Sequence, residues 1–504
     1  MALAHLLSRG QAGLTAYEVS VEVHIAGGLP SFSIAGLPTT TVRESKDRVR
    51  AALQTCGLPI PPRRITVHLG PAEIPKDGGR FDLPIALGVL LAQQSRPWNV
   101  ANTEFVGELT LGGELRAVRG ILPAIIAAKA AGRTIVIPAQ SSREAALVEH
   151  NTALTAAHLT DVIGHLDGRA ALAGVPAAAP GGCAAESPDL SDIQGQDLAK
   201  RALTLAAAGG HNLLFVGPPG AGKSMLAERL SGLLPPLTNE QRLQVAAIRS
   251  LTGQVDDFSG AVPFRAPHHT CSARALIGGG AKPRPGEVSM ANQGILFLDE
   301  LPEFARDAVE ALREPLESGF VTVSRVMDRV RYPAEFLLVA AMNPCPCGYA
   351  GDEERCICTP ARLLHYQNRV SGPILDRIDM HVEVPRVAVK TALEQPALES
   401  PVLRQAVAAA RQRQLDRAGT LNARLKPAML QQVVAPTKAA AALLSRCSEK
   451  WQLSGRAVVR ILKTARTIAD LAAAESVERQ HIAEALQLRY LDRRGRQSSD
   501  QTGL

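Results

Sequence analysis

The segment LLFVGPPGAGKS, residues 213–224, constrains the fold of this chain more than any other stretch of its sequence. Its first four residues are apolar and predict a buried strand, and the residues that follow it are patterned as a helix. The order strand, G-x-x-x-x-G-K-S, helix is typical of a loop that binds a nucleoside triphosphate. The residues predicted to contact the nucleotide are Gly217, Pro218, Pro219, Gly220, Ala221, Gly222, Lys223 and Ser224.

The residue types in this loop suit phosphate chemistry. Glycines allow backbone N–H groups to wrap around a triphosphate, and the helix N-terminus adds positive potential. Lys223 is expected to reach the β- and γ-phosphates, and Ser224 is expected to hold Mg²⁺. A chance glycine-rich turn is the alternative, and the flanking strand and helix patterns disfavour it. The sequence therefore predicts that ATP and Mg²⁺ bind here.

Polar side chains also follow two other predicted buried strands. The stretch ILFLDE, residues 295–300, ends in Asp299 and Glu300. In phosphate-loop proteins the first acid orients Mg²⁺ or its water, and the second polarises the attacking water. A third strand, at residues 336–341, leads to Asn343, where AAA+ proteins keep a polar residue that senses the γ-phosphate. Two acids after a strand can be structural, but their distance from the phosphate loop favours catalysis.

Composition limits the remaining possibilities. With 504 residues, 46% apolar and 20% charged, the chain is expected to form two to four domains. Its net charge of +7 is compatible with a polyanionic partner, while 3% aromatic residues disfavour base stacking as the main binding mode. No apolar run approaches the roughly 18–20 residues of a membrane span, and the N-terminus lacks a signal-peptide pattern. A cytoplasmic location without membrane contact is therefore expected.

Changes in composition divide the chain into segments, and the predicted class is α/β. Residues 1–170 alternate strand and helix patterns, with an alternating strand at 16–25 and an amphipathic helix at 41–53. The stretch 171–188 is rich in Ala, Gly and Pro. The predicted parts are an N-terminal α+β domain (1–170), a flexible linker (171–188), an AAA+ phosphate-loop α/β module (189–387), a helical lid (395–492) and a disordered tail (493–504).

Three motifs in the first domain carry a resemblance to a known fold. They are PKDGGRFD (75–82), GELTLGGELRAVRG (107–120) and TIVIP (134–138). Together they resemble the proteolytic domain of Lon-type proteases, whose fold is of the ribosomal S5 type 2-like class. Lon chemistry needs a serine activated by a lysine, but the matching positions hold Arg80 and Leu122. The resemblance therefore implies a scaffold without proteolysis.

Two basic inserts interrupt the nucleotide module. The first, residues 264–292, carries Arg265, His268, His269 and Arg274 and has no acid before Glu287. The second, residues 319–332, alternates and predicts a β-hairpin. Inserts at these places line the central pore of ring ATPases, although basic loops are commonly only solvated surface. The residues predicted to contact DNA are Lys282, Arg284, Arg325, Arg329 and Arg331. Metal binding by the two histidines is disfavoured because no acid or cysteine lies at ligand spacing.

Cysteines are concentrated in one short stretch. Cys345, Cys347, Cys356 and Cys358 form the pattern C-x-C-x₈-C-x-C. Four thiolates at this spacing suit a tetrahedral Zn²⁺ site with no open position, which would be structural. Four free thiols or a redox pair are the alternatives.

Two arginines are candidates for contacts with the γ-phosphate. Arg377, in a D-R-I-D turn, resembles the arginine finger that minichromosome-maintenance helicases and magnesium-chelatase ATPases supply to a neighbouring subunit; Arg369 is the second choice. Arg456 begins a predicted lid helix and resembles the lid arginine that contacts the γ-phosphate of its own subunit. An exposed helix arginine is the alternative for Arg456.

The motif order along the whole chain resembles the magnesium-chelatase-like AAA+ ATPases of the YifB/ComM group. It runs HNLLFVGPPGAGKS, APHHT, LDELPEF and MNPCPCG, then the helical segment. The resemblance implies a hexameric ATP-driven helicase that promotes branch migration while incoming DNA is integrated, in natural transformation or homologous recombination. The implied partners are single-stranded and branched DNA, further copies of the chain, and recombination proteins.

Two other functions remain open. An ATP-dependent protease or unfoldase is disfavoured by Arg80 and Leu122, and by inserts that are basic and nearly free of aromatic residues. A chelatase-type remodelling ATPase normally works with separate partner subunits and has no Lon-like N-terminal domain.

Overall fold

The computed structural model describes residues 2–58, 60–93, 98–177, 189–254, 260–280, 283–324, 329–350, 354–386 and 400–492. The chain divides into two compact units. The first contains Met1–Cys183 with Asn239–Ser259 and Ser324–Tyr332, and the second contains Ala184–Thr238, Gly260–Val323 and Pro333–Leu504. The two later segments of the first unit come from within the stretch that the sequence assigns to the AAA+ module.

Strands and short helices alternate over residues 2–177. The strands are β1 (Ala2–Ala12), β2 (Thr15–Ala26), β3 (Ser31–Ala35), β4 (Arg64–Gly70), β5 (Thr103–Phe105), β6 (Glu108–Leu109), β7 (Leu115–Arg116), β8 (Thr134–Pro138), β9 (Ala153–Ala156) and β10 (Ala173–Gly174). The helices are α1 (Thr40–Arg43), α2 (Ser45–Thr55), α3 (Asp82–Leu91), α4 (Ile121–Ala130), α5 (Ser142–Ala146) and α6 (Leu159–Leu166).

Residues 189–492 contain strands up to Glu383 and only helices after it, among those described. The strands are β11 (Leu213–Val216), β12 (Phe264–Arg265), β13 (Gly278–Gly279), β14 (Arg284–Pro285), β15 (Ile295–Leu298), β16 (Phe320–Ser324), β17 (Arg329–Pro333), β18 (Leu337–Met342) and β19 (Met380–Glu383). The helices are α7 (Asp197–Gly209), α8 (Lys223–Leu233), α9 (Asn239–Thr252), α10 (Ala273–Ile277), α11 (Glu287–Met290), α12 (Arg306–Glu310), α13 (Arg313–Ser318), α14 (Pro360–Gln367), α15 (Gly372–Leu375), α16 (Ser400–Ala418), α17 (Pro427–Val434), α18 (Lys438–Trp451), α19 (Gly455–Leu471) and α20 (Arg479–Gln487).

The first unit is built on a mixed eight-stranded sheet with the order β10-β9-β8-β5-β1-β2-β4-β3. Strands β1 and β2 form a long antiparallel pair, and β2 alternates buried and exposed residues, which gives the sheet one face toward the core. Helix α3 is buried along almost its whole length against this sheet. Helix α9 belongs to the same unit, where Leu243, Ala246 and Ala247 pack in one apolar cluster with α4.

The second unit is built on a parallel five-stranded sheet with the order β12-β15-β18-β11-β19. Strands β11, β15 and β18 are buried at every residue, as their continuous apolar sequences predict for a parallel sheet covered by helices. Apolar residues of α7, α8 and α16–α20 share one core cluster with the sheet. The protein is therefore a mixed α/β protein whose nucleotide-loop sheet is parallel.

Several predictions of local structure are confirmed. Strands occupy the segments predicted at 16–25, 213–216 and 295–298, and β18 covers the predicted segment 336–341 from residue 337 onward. The insert at 319–332 contains the paired strands β16 and β17. The single helix predicted at 41–53 is instead two helices, because the helix is interrupted at Glu44, between α1 and α2.

The predicted linker is in part a strand. Ala173 and Gly174 form β10, which pairs with β9. Residues 178–188 and the predicted tail 493–504 lie outside the described residues. Among the helices that the structure describes, none is both long and apolar enough to cross a membrane.

Candidate nucleotide-binding site

The carboxyl ends of parallel strands bring the predicted site residues to one edge of the sheet. The phosphate loop follows β11, Asp299 and Glu300 follow β15, and Asn343 follows β18. Strand β11 lies between β18 and β19, with β15 beyond β18. Parallel α/β sheets bind ligands at this edge, where the strand order changes direction. The topology therefore assembles residues that are 120 positions apart in the sequence.

The phosphate loop connects β11 directly to α8. Gly222 has a φ of +87°, a left-handed conformation that glycine adopts without strain, and Lys223 is the first residue of the helix. The Lys223 ammonium donates hydrogen bonds to the carbonyl oxygens of Gly217 (2.7 Å) and Pro218 (3.0 Å) and to Asn343 Oδ1 (3.0 Å). Burial lowers the pKa of Lys223, and the charges of Asp299 and Glu300 oppose that shift.

Ser224 and Asp299 offer two neighbouring oxygen ligands. Ser224 Oγ donates a hydrogen bond of 2.8 Å to Asp299 Oδ2. Adjacent ligands of an octahedral Mg²⁺ ion lie about 3 Å apart, because each is about 2.1 Å from the metal. The observed spacing therefore fits a site in which both oxygens, directly or through water, face the same Mg²⁺.

Glu300 is held in an unusual conformation. Its φ is +52°, and its backbone N–H donates to Asp299 Oδ1 at 2.9 Å. A non-glycine residue in this left-handed region costs about 1 kcal/mol or more and marks functional sites in many proteins. The Glu300 side chain is 53% exposed, and His269 Nδ1 lies 3.2 Å from Glu300 Oε2. His269 is thus a neighbour of Glu300, the candidate catalytic acid, and the sequence analysis did not predict this contact.

The two predicted γ-phosphate arginines lie close together in the second unit. Arg377 pairs with Glu317 and donates to the carbonyl oxygen of Pro373 at 2.7 Å. Arg456 is 67% exposed, and its guanidinium lies 3.8 Å from Asp376, the residue before Arg377. No hydrogen bond or ion pair joins Arg456 to the phosphate loop among the described residues. The second-choice arginine, Arg369, pairs with Glu303 at 2.7 Å.

Asp379 connects the turn that carries Arg377 to the start of β11 and to helix α19. Its carboxylate accepts from the backbone N–H of Asn212 (2.9 Å) and pairs with Arg460 (2.8 Å). Asn212 in turn donates to the carbonyl oxygen of Arg377 at 3.1 Å. Burial alone would raise the pKa of Asp379, but Arg460 and His211 together hold it below its usual value. These contacts therefore fix the backbone of the turn that carries Arg377.

The four clustered cysteines converge as predicted. Their sulfur atoms all lie within 4.8 Å of one another. The Cys345–Cys347, Cys347–Cys356 and Cys345–Cys356 Sγ distances are 3.3, 3.7 and 4.0 Å. A backbone hydrogen bond from Tyr349 is the largest cause that lowers the pKa of Cys347, to about 6. The pKa values of Cys356 and Cys358 are raised instead, that of Cys358 to about 11, because backbone hydrogen bonds that lower them are outweighed by burial and the neighbouring sulfur atoms. The convergence of the four sulfur atoms is therefore the observation that fits a metal site.

The basic residues predicted to contact DNA are only partly described. Arg284 lies in β14 and Arg331 in β17, and both are exposed. Arg329 belongs to β17, but Lys282, Arg325 and the side chain of Arg329 lie outside the described part of the structure.

Comparisons with known proteins agree with this architecture. Three family models match, described as "Magnesium chelatase, subunit ChlI" (residues 189–392), "Subunit ChlI of Mg-chelatase" (21–141) and "Magnesium chelatase, subunit ChlI C-terminal" (397–489). The chain is 45% identical to "Competence protein ComM" of Haemophilus influenzae, over 98% of both chains. The chain belongs to the magnesium-chelatase-like ComM/YifB family.

Other relatives show how far the similarity extends. "Uncharacterized protein YifB" of Salmonella typhimurium is 45% identical over 98% of both chains. "Magnesium-chelatase subunit ChlI" of Synechocystis is 27% identical over 39% of this chain and 56% of its own length. The magnesium-chelatase-like AAA+ ATPases to which this family belongs use ATP and Mg²⁺.

Arg80, which the expected resemblance to Lon-type proteases matches to their nucleophile, is a buried hydrogen-bond donor. Arg80 is buried and donates to the carbonyl oxygens of Arg9 (3.3 Å) and Arg119 and to Gln11 Oε1 (3.4 Å). Burial lowers the pKa of Arg80 to about 10. Leu122, which the same expected resemblance matches to the Lon lysine, is fully buried. Neither residue can act as a nucleophile or base, so Arg80 joins three chain segments instead.

Replacing Arg80 with alanine is expected to destabilise the first unit by about 3 kcal/mol, because buried carbonyl groups lose their donor. Urea denaturation monitored by circular dichroism measures the change, with the exposed Arg64→Ala as the control, for which a change within about 0.5 kcal/mol is expected. Equal stability of the two variants would contradict a structural role for Arg80.

Proposed function

We propose that this protein is an ATP-driven DNA motor, a hexameric helicase that promotes branch migration when incoming DNA is integrated during natural transformation. The observation that carries the proposal is the complete set of phosphate-loop, acid and polar residues at one sheet edge, in a chain similar along its whole length to a competence protein. A competence protein with an ATPase site and a net charge of +7 has DNA as its natural polyanionic partner.

Each site residue has a proposed task in hydrolysis. Lys223 exchanges its carbonyl and Asn343 acceptors for the β- and γ-phosphate oxygens of ATP. Ser224 and Asp299 would hold Mg²⁺, and the ion would neutralise phosphate charge. Glu300 accepts the proton of the attacking water, and Asn343 senses the γ-phosphate. His269 orients the Glu300 carboxylate, since its ring nitrogen lies within 3.2 Å of it.

Arg377 and Arg456 are proposed to complete the site of a neighbouring subunit. The Arg456 guanidinium lies 3.8 Å from Asp376, and Arg377 is the next residue in the chain, so the two arginines could act on the same γ-phosphate. The sequence analysis expected Arg456 to act within its own subunit. Action beside Arg377 is a second proposal, made from its contact with Asp376, and action within its own subunit stays a prediction. In that interface Arg377 would leave Glu317 for the phosphate charge of the neighbour.

The two basic inserts are proposed to bind DNA through phosphate contacts. Arg284 and Arg331 are exposed on β14 and β17, one on each insert. Phosphate contacts position a protein on DNA and carry no sequence information. Because aromatic residues are only 3% of the chain, charge is expected to contribute more than base stacking. Single-stranded and branched DNA are the proposed substrates, and recombination proteins are proposed partners.

The proposed function is tested by measuring the ATPase rate of the purified chain with three additions: forked DNA, a tetrapyrrole with Mg²⁺, and an unfolded protein. Stimulation by DNA alone is the expected result. Stimulation only by the tetrapyrrole would instead support a chelatase-type remodelling ATPase. The three family models that match this chain are named after magnesium chelatase. Stimulation only by the unfolded protein would support an unfoldase.

Replacing Arg325 and Arg329 with alanine is expected to weaken DNA binding similarly for all DNA sequences and to abolish unwinding. Each lost phosphate contact should reduce the salt dependence of single-strand binding by about 0.7 in the log–log slope. Basal ATPase activity should remain, because both residues lie outside the phosphate-loop and acid motifs of the sequence. Fluorescence anisotropy at several salt concentrations measures the slope.

The matched control for this variant is the pair Arg446→Ala and Arg479→Ala on the exposed faces of α18 and α20, which removes the same charge elsewhere. Size-exclusion chromatography with ATP shows whether the rings stay intact. An intact ring of the Arg325/Arg329 variant that unwinds forked DNA at the wild-type rate would remove these residues from the DNA-binding surface.

The four clustered cysteines are proposed to hold one structural Zn²⁺ ion. A tetrahedral ion with Zn–S bonds of about 2.3 Å places its ligands about 3.8 Å apart. The measured Sγ separations of 3.3, 3.7 and 4.0 Å surround that value. Four thiolate ligands leave no position for water, so the ion would support the fold and not react.

A further inference from the structure

The first two clustered cysteines belong to a turn that is continuous with the nucleotide site. We call residues 343–348, Asn-Pro-Cys-Pro-Cys-Gly, the cysteine turn. It begins at Asn343, whose side chain accepts the hydrogen bond from Lys223 at 3.0 Å. Cys345, two residues later, is fully buried. A single proline therefore separates a candidate metal ligand from the residue that contacts the phosphate-binding lysine.

The other end of the cysteine turn packs against the phosphate loop. Gly348 has a φ of +87°, and a Cβ atom added there would lie 2.5 Å from Pro219 Cδ. The turn closes through a hydrogen bond of 3.0 Å from the Gly348 N–H to the Cys345 carbonyl oxygen. The N–H of Gly217 also donates to the carbonyl oxygen of Met342 at 3.2 Å, just before the turn. The turn and the loop are thus in contact at both ends.

We propose that a thiophilic divalent ion, Zn²⁺, at the four cysteines positions the phosphate loop, so that ATP binding and turnover require an occupied metal site. The inference rests on the proposed binding of ATP by this loop. It assigns the cysteine cluster a task in the nucleotide site beyond local folding, and it makes Gly348 a positioning residue.

The physical reason is a cross-link between two short chain segments. The ion joins the cysteine turn to the segment with Cys356 and Cys358, which restricts the conformations of both. Without the ion, Asn343 and Gly348 lose the constraint that holds them against Lys223 and Pro219. A displacement of about 1 Å in a catalytic arrangement can reduce turnover by about 10²-fold.

The first experiment compares Cys345→Ser and Cys358→Ser with the control Cys447→Ser, which removes a half-buried thiol on α18 outside the cluster. Metal content is measured by mass spectrometry, ATP affinity by titration with a fluorescent ATP analogue, and folding by circular dichroism. The control and the wild-type chain are expected to carry one Zn²⁺ ion. The two cluster variants are expected to lose it and to bind the analogue at least about tenfold more weakly.

The second experiment separates coupling from unfolding by using a variant that keeps all four ligands. Gly348→Ala is expected to retain one Zn²⁺ ion but to weaken ATP binding, because its Cβ atom would push against Pro219. The wild-type chain can also be stripped of metal with a mercurial reagent and reloaded with Zn²⁺ under reducing conditions. ATP binding is expected to fall on removal and to return on reloading.

Three results would overturn the inference. The first is that the purified wild-type chain contains no stoichiometric metal. The second is that the cluster variants lose the metal but keep ATP affinity and turnover within twofold of wild type. The third is a Gly348→Ala variant with unchanged ATP affinity. In each of these three results the wild-type chain still binds ATP. If the proposed function is wrong, the wild-type chain would instead carry the metal and bind no ATP.

Discussion

Replacing Lys223 with alanine is expected to abolish ATP binding, with a loss of affinity of about 100-fold or more, because a charge-assisted contact to two phosphates disappears. Lys223 is buried and hydrogen-bonded to Asn343, so its ammonium group is already held in the loop where the phosphates are proposed to bind. Titration with a fluorescent ATP analogue measures the loss. Lys438→Ala, an exposed lysine at the start of α18, is the control and should bind ATP normally.

Glu300→Gln is the contrasting variant at the same site. It is expected to bind ATP with wild-type affinity and to hydrolyse it about 10²–10⁴-fold more slowly, because glutamine cannot accept the proton of the attacking water. Initial rates of phosphate release at saturating ATP measure this loss. Near-normal hydrolysis by Glu300→Gln would show that another group is the catalytic base.

Arg377→Ala is expected to bind ATP and to hydrolyse it about 10³–10⁵-fold more slowly, the usual contribution of an arginine finger. Asn212 donates a hydrogen bond to the Arg377 carbonyl oxygen and another to the Asp379 carboxylate, so the backbone at Arg377 is fixed. A fixed backbone is expected for a side chain that must contact a neighbouring subunit at a defined position. The same assay with Arg446→Ala, an exposed arginine of α18, provides the control.

Mixing tests whether the arginine acts on a neighbouring subunit. Arg377→Ala and Glu300→Gln subunits are each expected to be inactive alone, and their mixture should recover part of the activity. In mixed rings an intact Arg377 can face an intact Glu300, since the two changes lie on different chains. Absence of any recovery under conditions in which subunits exchange would argue against action between subunits.

The convergence of the candidate nucleotide-site residues at one sheet edge was predictable because its signals are local. The residues 217–224 and the acids at 299–300 each follow a strand in the sequence, and a parallel sheet brings such positions to one edge. The cysteine cluster was predictable for the same reason, since its four ligands lie within fourteen residues. Short-range spacing carries chemical information that one sequence is enough to show.

Contacts between distant segments were not predictable. Nothing in the sequence links His269 to Glu300, Arg456 to Asp376 or Gly348 to Pro219, because each pair meets only after the sheet and its loops have formed. Likewise, helix α9 has the sequence of an ordinary amphipathic helix. Its membership of the first unit depends on the apolar cluster that it shares with α4.

The central claim is tested most directly by measuring branch migration on a labelled three-stranded DNA substrate. The wild-type chain with ATP and Mg²⁺ is expected to move the branch point and release the displaced strand. Glu300→Gln is expected to bind the same substrate without moving it. If the wild-type chain hydrolyses ATP in the presence of this DNA but leaves the branch point where it started, the protein is not the DNA motor proposed here.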